Sequence, residues 1–518
     1  MLTGEMLARS AHRFPTRPAV SQGLQIISYQ ELDGRADQMA RKLVALGLPA
    51  GTTVGIISRN LPEYGISFFG VARSGYILTN VSVLYAPDEM LYVLRKARIE
   101  VLIFDQQFTD TVMAVLPDLP GIRTVIEIGA AAPAAGHLRF NDFCAPCAAD
   151  EPALPPLPLL QEDAPFCMTY TGGTTGRPKG VLCSHRARAI TAHTVMVEEA
   201  IDERDVVGIV TPMFHVAALN IMFQPAILAG ASTVLLAKWS PQGFIEMVEQ
   251  SGMTACFMVP TQAASLLQAP EFDPDKLRNW TKVSFAGAPL PDWVQHELRA
   301  RLPWLHITQI YGQSEMGVIA VLRHWYLPAK LGSVGRQPYN VDVRVVNQDG
   351  TDVAPGEIGE VVSRGANLML GYFDEPAQTR EFFRLGDDWG WSGDLASVDA
   401  DGFITLIDRS KDMIISGGEN IYPKEIENVI FELPEVADCA VFGIPQPPWG
   451  EVPAAWISLQ PGQQLSAEQV LAHCEAKLAR FKRPRLVEFV TEFPKTAIGK
   501  IQKNLIREQY WRDQDKKI

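Results

Sequence analysis

The sequence predicts an α/β fold of more than one domain, on three observations. Apolar strand-like runs alternate with amphipathic helical patterns up to about residue 330. Such alternation implies parallel sheets covered by helices on both faces. From about residue 331 short strands broken by Gly, Asp and Pro turns take over, which reads as a small, mostly antiparallel β region. The 518 residues suffice for two to four domains at roughly 150 residues each.

The first residues, MLTGEMLARSAHRFP, put Glu5 and Arg9 where a secretory signal needs an apolar stretch. Ser28-Tyr-Gln-Glu31 is a capping-box signature. Behind it Leu32, Ala36, Met39, Ala40, Leu43 and Leu46 recur at helical spacing, and Gly47 sits at the stop. Thr53 to Ile57 reads as a buried strand, and Val101 to Asp105 as another after a helical stretch around Met90 to Ala97. Glu151 to Pro165 is proline-rich and reads as a connector. A second α/β run follows, from about 166 to 330. Within it Val206 to Ala237 carries no Asp, Glu, Lys or Arg over 32 residues. Pro212, His215, Asn220, Gln224, Pro225 and Gly230 interrupt that run, so a buried strand, loop and helix is expected and not a membrane span. The last segment, about 410 to 518, is charge-rich and has its own strands and helices.

Composition excludes several classes. Apolar residues make up 47% and charged residues 20%, so wholesale disorder is excluded. Lys and Arg number 46 against 59 Asp and Glu, a net charge of −13, which disfavours a nucleic-acid partner. Seven cysteines do not read as a disulfide framework. Cys144 and Cys147 form one C-x-x-C without the second pair a zinc site wants, and read as a surface loop. Reduced thiols fit the cytoplasm. The ending DQDKKI shows no peroxisomal or lipidation signal.

Five motifs carry chemistry. Thr169 to Gly180 (TYTGGTTGRPKG) follows an apolar run. Its glycines Gly172, Gly173 and Gly176 let backbone approach phosphate oxygens, Thr171, Thr174 and Thr175 supply hydroxyls, and Lys179 a charge. It is not a Walker A loop, because Arg-Pro-Lys follows Gly176. Tyr311-Gly312-Gln313-Ser314-Glu315 places an aromatic ring beside a carboxylate, suited to stacking a base and holding a divalent ion. Trp391-Ser-Gly-Asp394, followed by Asp408-Arg409-Ser-Lys411-Asp412, offers a carboxylate and an arginine for ribose hydroxyls. Ile415 to Glu427, with Gly417, Gly418 and Glu419, describes a tight loop entering a helix at Pro423. Pro494 to Arg507 sets Lys500 after a glycine on a bendable loop. Singly, the second, third and fifth motifs each read better as a turn or a solvated surface than as a site.

In this order, over about residues 10 to 507, the five resemble the adenylate-forming superfamily. That group holds acyl- and aryl-CoA synthetases, adenylation domains of peptide synthetases, and beetle luciferases. The resemblance implies a large N-terminal domain (1–408) of two α/β subdomains plus a β region. A small α+β lid (409–518) would be hinged at Lys411. It also implies the reaction. A carboxylate attacks the α-phosphate of ATP, giving an acyl-adenylate and pyrophosphate, and a thiol, usually CoA, then displaces AMP. By resemblance Lys500 is the adenylation lysine, Glu315 the Mg²⁺ carboxylate and Tyr311 the adenine-stacking ring. Thr171 to Gly176 with Lys179 form the phosphate loop; Asp394 and Arg409 contact ribose. Gly287, Ala288, Pro289, Gly312, Gln313 and Ser314 join the nucleotide contacts. Gly417, Gly418 and Glu419 would line the thiol tunnel after the lid has turned. Gly172, Ser314 and Ser392 depart from the commoner Ser, Thr and Thr; the last two keep the hydroxyl.

Pro212-Met-Phe-His215 resembles the border of the acid pocket, with His215 typical of CoA-forming members. Phe214 to Ala218 offers no Asp to pair an amino group, which disfavours amino acid substrates. Phe257 to Pro260, Phe285 to Ala288 and Gly312 to Val318 are wall segments by the same resemblance, and none carries an Arg for a second carboxylate. An aromatic or medium- to long-chain aliphatic acid is therefore expected. An acyl-adenylate donor to a carrier-protein thiol, a nucleotide-binding regulator without turnover and a luciferase-like oxidase are the alternatives. Lys482 and Arg483 are candidates for CoA phosphates and equally for a solvated surface. A homodimer is kept open, since the oligomeric state is not readable here.

Overall fold

The computed structural model describes residues 1–147, 153–171, 178–288, 290–384, 386, 388–417, 419–447, 449–495 and 501–512. The first helices form as their sequence dictates. Ser28 caps the helix Tyr29–Ala45, and its main-chain N–H donates to Glu31 Oε2 at 2.7 Å, completing the capping box. Leu32, Ala36, Met39, Ala40 and Leu43 form its fully buried face, and Gly47 turns the chain at φ +68°. Both expected strands form, Thr53–Ile57 as read and the second as Ile99–Asp105, two residues longer at its start, with the helix Pro87–Lys96 between them in sequence. Residues 153–164 carry no helix or strand, as a proline-rich connector should.

The chain divides into two compact units. Met1–Thr171, Pro178–Val343 and Ser363–Gly390 form the first; Arg344–Val362 and Trp391–Ile518 belong to the second. This grouping is by compactness and puts residues 391–408 with the C-terminal segment.

Among the described residues the first unit holds two eight-stranded sheets. One centres on Thr53–Ile57, which pairs in parallel with Ile77–Asn80 and Ile99–Asp105. At its far side lie Pro165–Thr171, Lys179–Ser184 and the short edge strand Gly371–Tyr372. In the other, Val206–Ile209, Ala255–Met258, Lys282–Phe285 and His306–Gln313 run parallel side by side, and Gly317–Leu322 closes the edge antiparallel. The helix Pro62–Ser74 is buried along nearly its whole length, as expected of a helix packed on all sides. Trp280, edge-on to Phe244 with centroids 5.0 Å apart, anchors the core of the second sheet.

The uncharged run resolves into more pieces than a strand, loop and helix. It holds the strand Val206–Ile209, a π-helix Ala217–Phe223, the helix Gln224–Ala229 and the strand Ser232–Leu235. Among the described residues no helix is long and apolar enough to cross a membrane.

The second unit contains two sheets of its own. Asp342–Val346, Ile358–Arg364, Gly390–Val398 and Ile404–Arg409 follow one another in the first. In the second, Glu419–Ile421, Ile414–Ser416, Gly450–Leu459 and Val436–Gln446 are neighbours, and Leu486–Phe489 pairs in parallel with Gly450–Leu459. Ile414, Ile421, Ile426, Ile430, Val441 and Ile457 form its core. The helix Lys503–Trp511 ends the described chain but for Arg512.

One buried acid makes the fold pH-sensitive. Glu199 closes the helix His185–Glu198 and is 7% exposed. Burial, with Glu198 adding to it, pushes its carboxyl up to about 7. Between about 4.5 and 7 the folded chain therefore holds a proton that the unfolded chain releases, so stability falls as pH rises through that window. Integrated over the shift, the cost above pH 7 is about 3 kcal/mol. Glu199→Gln should leave the denaturation midpoint nearly unchanged at pH 4 and raise it at pH 8. Midpoints that track wild type at both pH values would refute the assignment.

Candidate active site

The two ends of the segment read as a phosphate loop fall on an antiparallel pair. Thr171 ends the strand Pro165–Thr171, Lys179 begins Lys179–Ser184, and the two face each other in register. Gly172, Gly173, Thr174, Thr175 and Gly176, on the connection between them, lie outside the described residues.

Tyr311, Gly312 and Gln313 end the strand His306–Gln313, with Ser314 and Glu315 in the hairpin turn that follows. Tyr311 is 8% exposed. The turn closes tightly: a Cβ on Gly312 would lie 2.1 Å from the Gly317 carbonyl oxygen, and Gly317 itself takes φ +62°. Glu315 Oε1 accepts the phenol O–H of Tyr372 at 2.9 Å, and Lys179 Nζ sits 5.2 Å from the centre of the Tyr372 ring. The Met369 N–H donates to the Glu315 carbonyl and the Phe373 N–H to the Gly180 carbonyl, each at 2.8 Å. Burial, then the charge of Glu315, pushes the Tyr372 phenol well above its usual range, so it keeps its proton. Tyr372 thus links Glu315 to Lys179, and the sequence reading did not single it out. A Gly-Tyr pair has no local signal; only the strand pairing reveals it.

The residues fit a magnesium ion in one particular way. Among the described residues no group of three or more His, Cys, Asp or Glu could hold a metal. A single carboxylate such as Glu315 suits Mg²⁺, which is usually bound through one or two carboxylates plus substrate phosphates and water. It does not suit an all-protein cage.

The segments that the resemblance assigns to the acid pocket share an edge. His215, Val259, Gly287 and Ser314 each follow the carboxyl end of one of four parallel strands that lie side by side. In open α/β sheets, ligands bind in the crevice outside these ends. Gly287 and Ala288 are exposed, with Gly287 at φ +85°, and Pro289 lies outside the described residues. Burial pushes His215 down to about 4, so its ring is neutral. Its Nδ1 accepts the Ala217 N–H at 3.3 Å, which leaves the ring proton on Nε2. The π-helix starts at Ala217, two residues on; such π segments frequently occur at functional sites.

In the second unit Asp394 and Arg409 are partners across two antiparallel strands, with Arg409 Nε 3.4 Å from Asp394 Oδ1. The Asp394 N–H donates to Ser392 Oγ at 3.0 Å, and that hydroxyl donates to the Val361 carbonyl at 2.6 Å, so the hydroxyl at 392 has a structural use. The carbonyl of Lys411 accepts from Arg507 at 3.2 Å. Gly417 and Glu419 belong to a β-hairpin with Ser416 opposite Glu419, where the sequence suggested a plain loop. Gly418 lies outside the described residues. Gly417 takes φ +59°, and a Cβ there would meet Trp449 Cε3 at 2.8 Å. Trp449, 58% exposed and absent from the sequence reading, therefore covers this hairpin. Lys482 is held by both carboxylate oxygens of Glu425, at 2.8 and 2.7 Å, and Arg483 by Glu475, so both candidate CoA cations are engaged in ion pairs. Lys500 lies outside the described residues. Lys503, three residues on, pairs with Glu427 at 2.6 Å.

Residues 7–373 match the AMP-binding enzymes, and residues 425–500 match the C-terminal domain of the same enzymes. The chain belongs to the AMP-binding enzyme family. It is 35% identical to a feruloyl-CoA synthase of an Amycolatopsis species, over 98% of this chain and 99% of the relative. It is 32% identical to a long-chain-fatty-acid–CoA ligase of Mycobacterium tuberculosis, over 93% of each. A crystal structure of an anthranilate CoA ligase in complex with anthranoyl-AMP superposes with a TM-score of 0.87 at 28% identity, covering 98% of this chain and 97% of the other. By class this member of the family is an AMP-forming acyl-CoA synthetase, a ligase with ATP and CoA as substrates. Its fold matches that class, a large N-terminal domain followed by a smaller C-terminal one.

Proposed function

We propose that this ligase activates an aromatic or a medium- to long-chain aliphatic carboxylic acid through its acyl-adenylate and then forms the CoA thioester. The observation that carries the acid class is the carboxyl edge of the four parallel strands. His215 there is neutral, and Phe257 to Pro260, Phe285 to Ala288 and Gly312 to Val318 contain no Lys or Arg. A mostly apolar surface without a Lys or Arg to pair a second carboxylate favours a single carboxylate on an apolar body. The relatives act on both kinds of acid, a feruloyl-type aromatic and a long-chain aliphatic.

In the first half-reaction the acid and the α-phosphate are both anions, so the site must neutralise charge. Lys179 with Thr171, Gly172, Gly173, Thr174, Thr175 and Gly176 would hold the phosphates. Tyr311 would stack the adenine, with Gly287, Ala288, Pro289, Gly312, Gln313 and Ser314 around the nucleotide. Asp394 and Arg409 would take the ribose hydroxyls. Glu315 would hold Mg²⁺, which when bound spreads the phosphate charge. Lys500 would bridge the acid carboxylate and the α-phosphate. His215, a neutral donor at Nε2, would orient the acid. In the second half-reaction residues 409–518 would turn about Lys411, bringing Gly417, Gly418 and Glu419 to the thiol.

The test is AMP production from Mg-ATP with and without CoA, over benzoate, hydroxycinnamates, cyclohexanecarboxylate and straight-chain acids from acetate to palmitate. CoA-dependent AMP with one acid class is expected. AMP that ignores CoA redirects the assignment to a carrier-protein thiol, and nucleotide binding without AMP to a regulator. The seven free thiols fit a reducing cytoplasm. A homodimer is compatible with this reading, and sedimentation reads it directly.

A further inference from the structure

We propose that Tyr372 is a positioning residue that holds the Glu315 carboxylate and the Lys179 ammonium in one frame. The inference rests on the roles given above to Glu315 and Lys179. One side chain engages two opposite charges through different parts. Its O–H donates to Glu315 Oε1 at 2.9 Å, and its ring face lies under Lys179 Nζ, 5.2 Å from the centroid. A ring face attracts a cation through its quadrupole, and a phenol donor to a carboxylate makes a charge-assisted hydrogen bond. Without the donor, Glu315 Oε1 loses a partner that helps set the rotation of the carboxylate.

The frame itself is braced. Tyr372 pairs with Val181 as part of the edge strand beside Lys179–Ser184. Its N–H donates to Thr379 Oγ1 at 2.9 Å, and that hydroxyl donates to the Glu375 carbonyl at 2.9 Å. Phe382 stands edge-on to the ring, centroids 6.3 Å apart. Gly371, at φ +150°, leaves no room for a side chain, since a Cβ would meet Thr379 Cγ2 at 2.8 Å. On the far side Glu375 pairs with Lys96 at 2.7 Å. A group fixed from so many directions supplies orientation in advance, before nucleotide binds.

Calorimetric titration of the full chain with ATP, at a series of Mg²⁺ concentrations and without acid, separates the parts. Tyr372→Phe removes the O–H and keeps the ring. The Mg²⁺ concentration for half-maximal tightening of ATP binding should rise roughly 10- to 100-fold. Binding of metal-free ATP should stay as in wild type. Tyr372→Leu removes the ring too, and should weaken metal-free ATP binding by a further ~2- to 5-fold. In a Glu315→Gln background, Tyr372→Phe should add nothing, because the donor acts through that carboxylate. An unchanged Mg²⁺ dependence in Tyr372→Phe, where Glu315→Gln does shift it, overturns the inference and spares Glu315. Additive effects in the double variant overturn it as well. No shift in Glu315→Gln overturns the metal role and the inference together. If Tyr372→Phe lowers the unfolding midpoint, fluorotyrosine at 372 takes its place. It keeps the shape and changes the donor, and an unmoved Mg²⁺ dependence again overturns the proposal.

Discussion

Lys500→Ala should suppress acyl-adenylate formation by about 10²- to 10³-fold, the loss typical of one donor aimed at developing charge. Thioester formation from a supplied acyl-adenylate should stay within a few-fold of wild type. The asymmetry follows from the chemistry. In the first step two anions meet, and a cation between carboxylate and α-phosphate is worth most in that transition state. In the second step a thiolate attacks a mixed anhydride whose leaving group is already AMP, so on the proposed roles Lys500 would have no incoming anion to neutralise. The substitution should not unfold the segment. The helix Lys503–Trp511 that follows is anchored independently, by Lys503 to Glu427 at 2.6 Å and by Arg507 to the Lys411 carbonyl at 3.2 Å. Pyrophosphate exchange reads the first step, and thioester yield from synthetic acyl-AMP the second. Equal losses in both would sink the two-step division of labour.

Gly312→Ala should be the most damaging one-methyl change at the nucleotide edge. The added Cβ would sit 2.1 Å from the Gly317 carbonyl oxygen and 3.1 Å from its carbonyl carbon. Both are main-chain atoms, so no side-chain rotation relieves the clash. The hairpin must open or bend, and Tyr311 lies on one side of Gly312 and Glu315 three residues beyond it. A loss of roughly 1–3 kcal/mol of stability is expected, the range for forcing an extra methyl into a packed site. ATP binding should weaken by more than tenfold, since Tyr311, the proposed stacking ring, and Glu315, the proposed metal carboxylate, move together. Gly34→Ala is the control: like Gly312 it is not at positive φ, but nothing lies within 4 Å of an added Cβ, so it adds the methyl without the clash. If Gly312→Ala binds ATP as wild type does, the hairpin tolerates opening and the tight turn is not functional.

Much of the fold was legible because local rules and tertiary context agree. The capping box at Ser28 and the stripe from Leu32 to Leu43 predicted a helix, and it formed with that face buried. The strand at Thr53–Ile57 matched residue for residue, since a short apolar run inside an alternating pattern has few other options. The run Val206–Ala237 was read as buried, correctly, but its π-helix was not foreseen. A π-turn differs from an α-turn by one hydrogen-bond step, and no residue spacing announces it. Likewise the Gly417 segment reads as a loop because two glycines and an Asn favour turns, yet the pairing of Ser416 with Glu419 makes it a hairpin.

The sequence by itself determined the family, the reaction class and the residue types that the chemistry needs, because phosphate, ribose and metal each demand particular groups in a particular order along the chain. Tertiary structure alone decided which of those groups meet. It set Thr171 opposite Lys179, Asp394 opposite Arg409, and the phenol of Tyr372 against a carboxylate 57 positions away. It also made His215 neutral and engaged Lys482 and Arg483 with carboxylates. The reason is physical. Motifs record which side chains are present, whereas hydrogen bonds, burial and charge depend on strand pairing and packing between segments far apart in sequence, which no local pattern encodes.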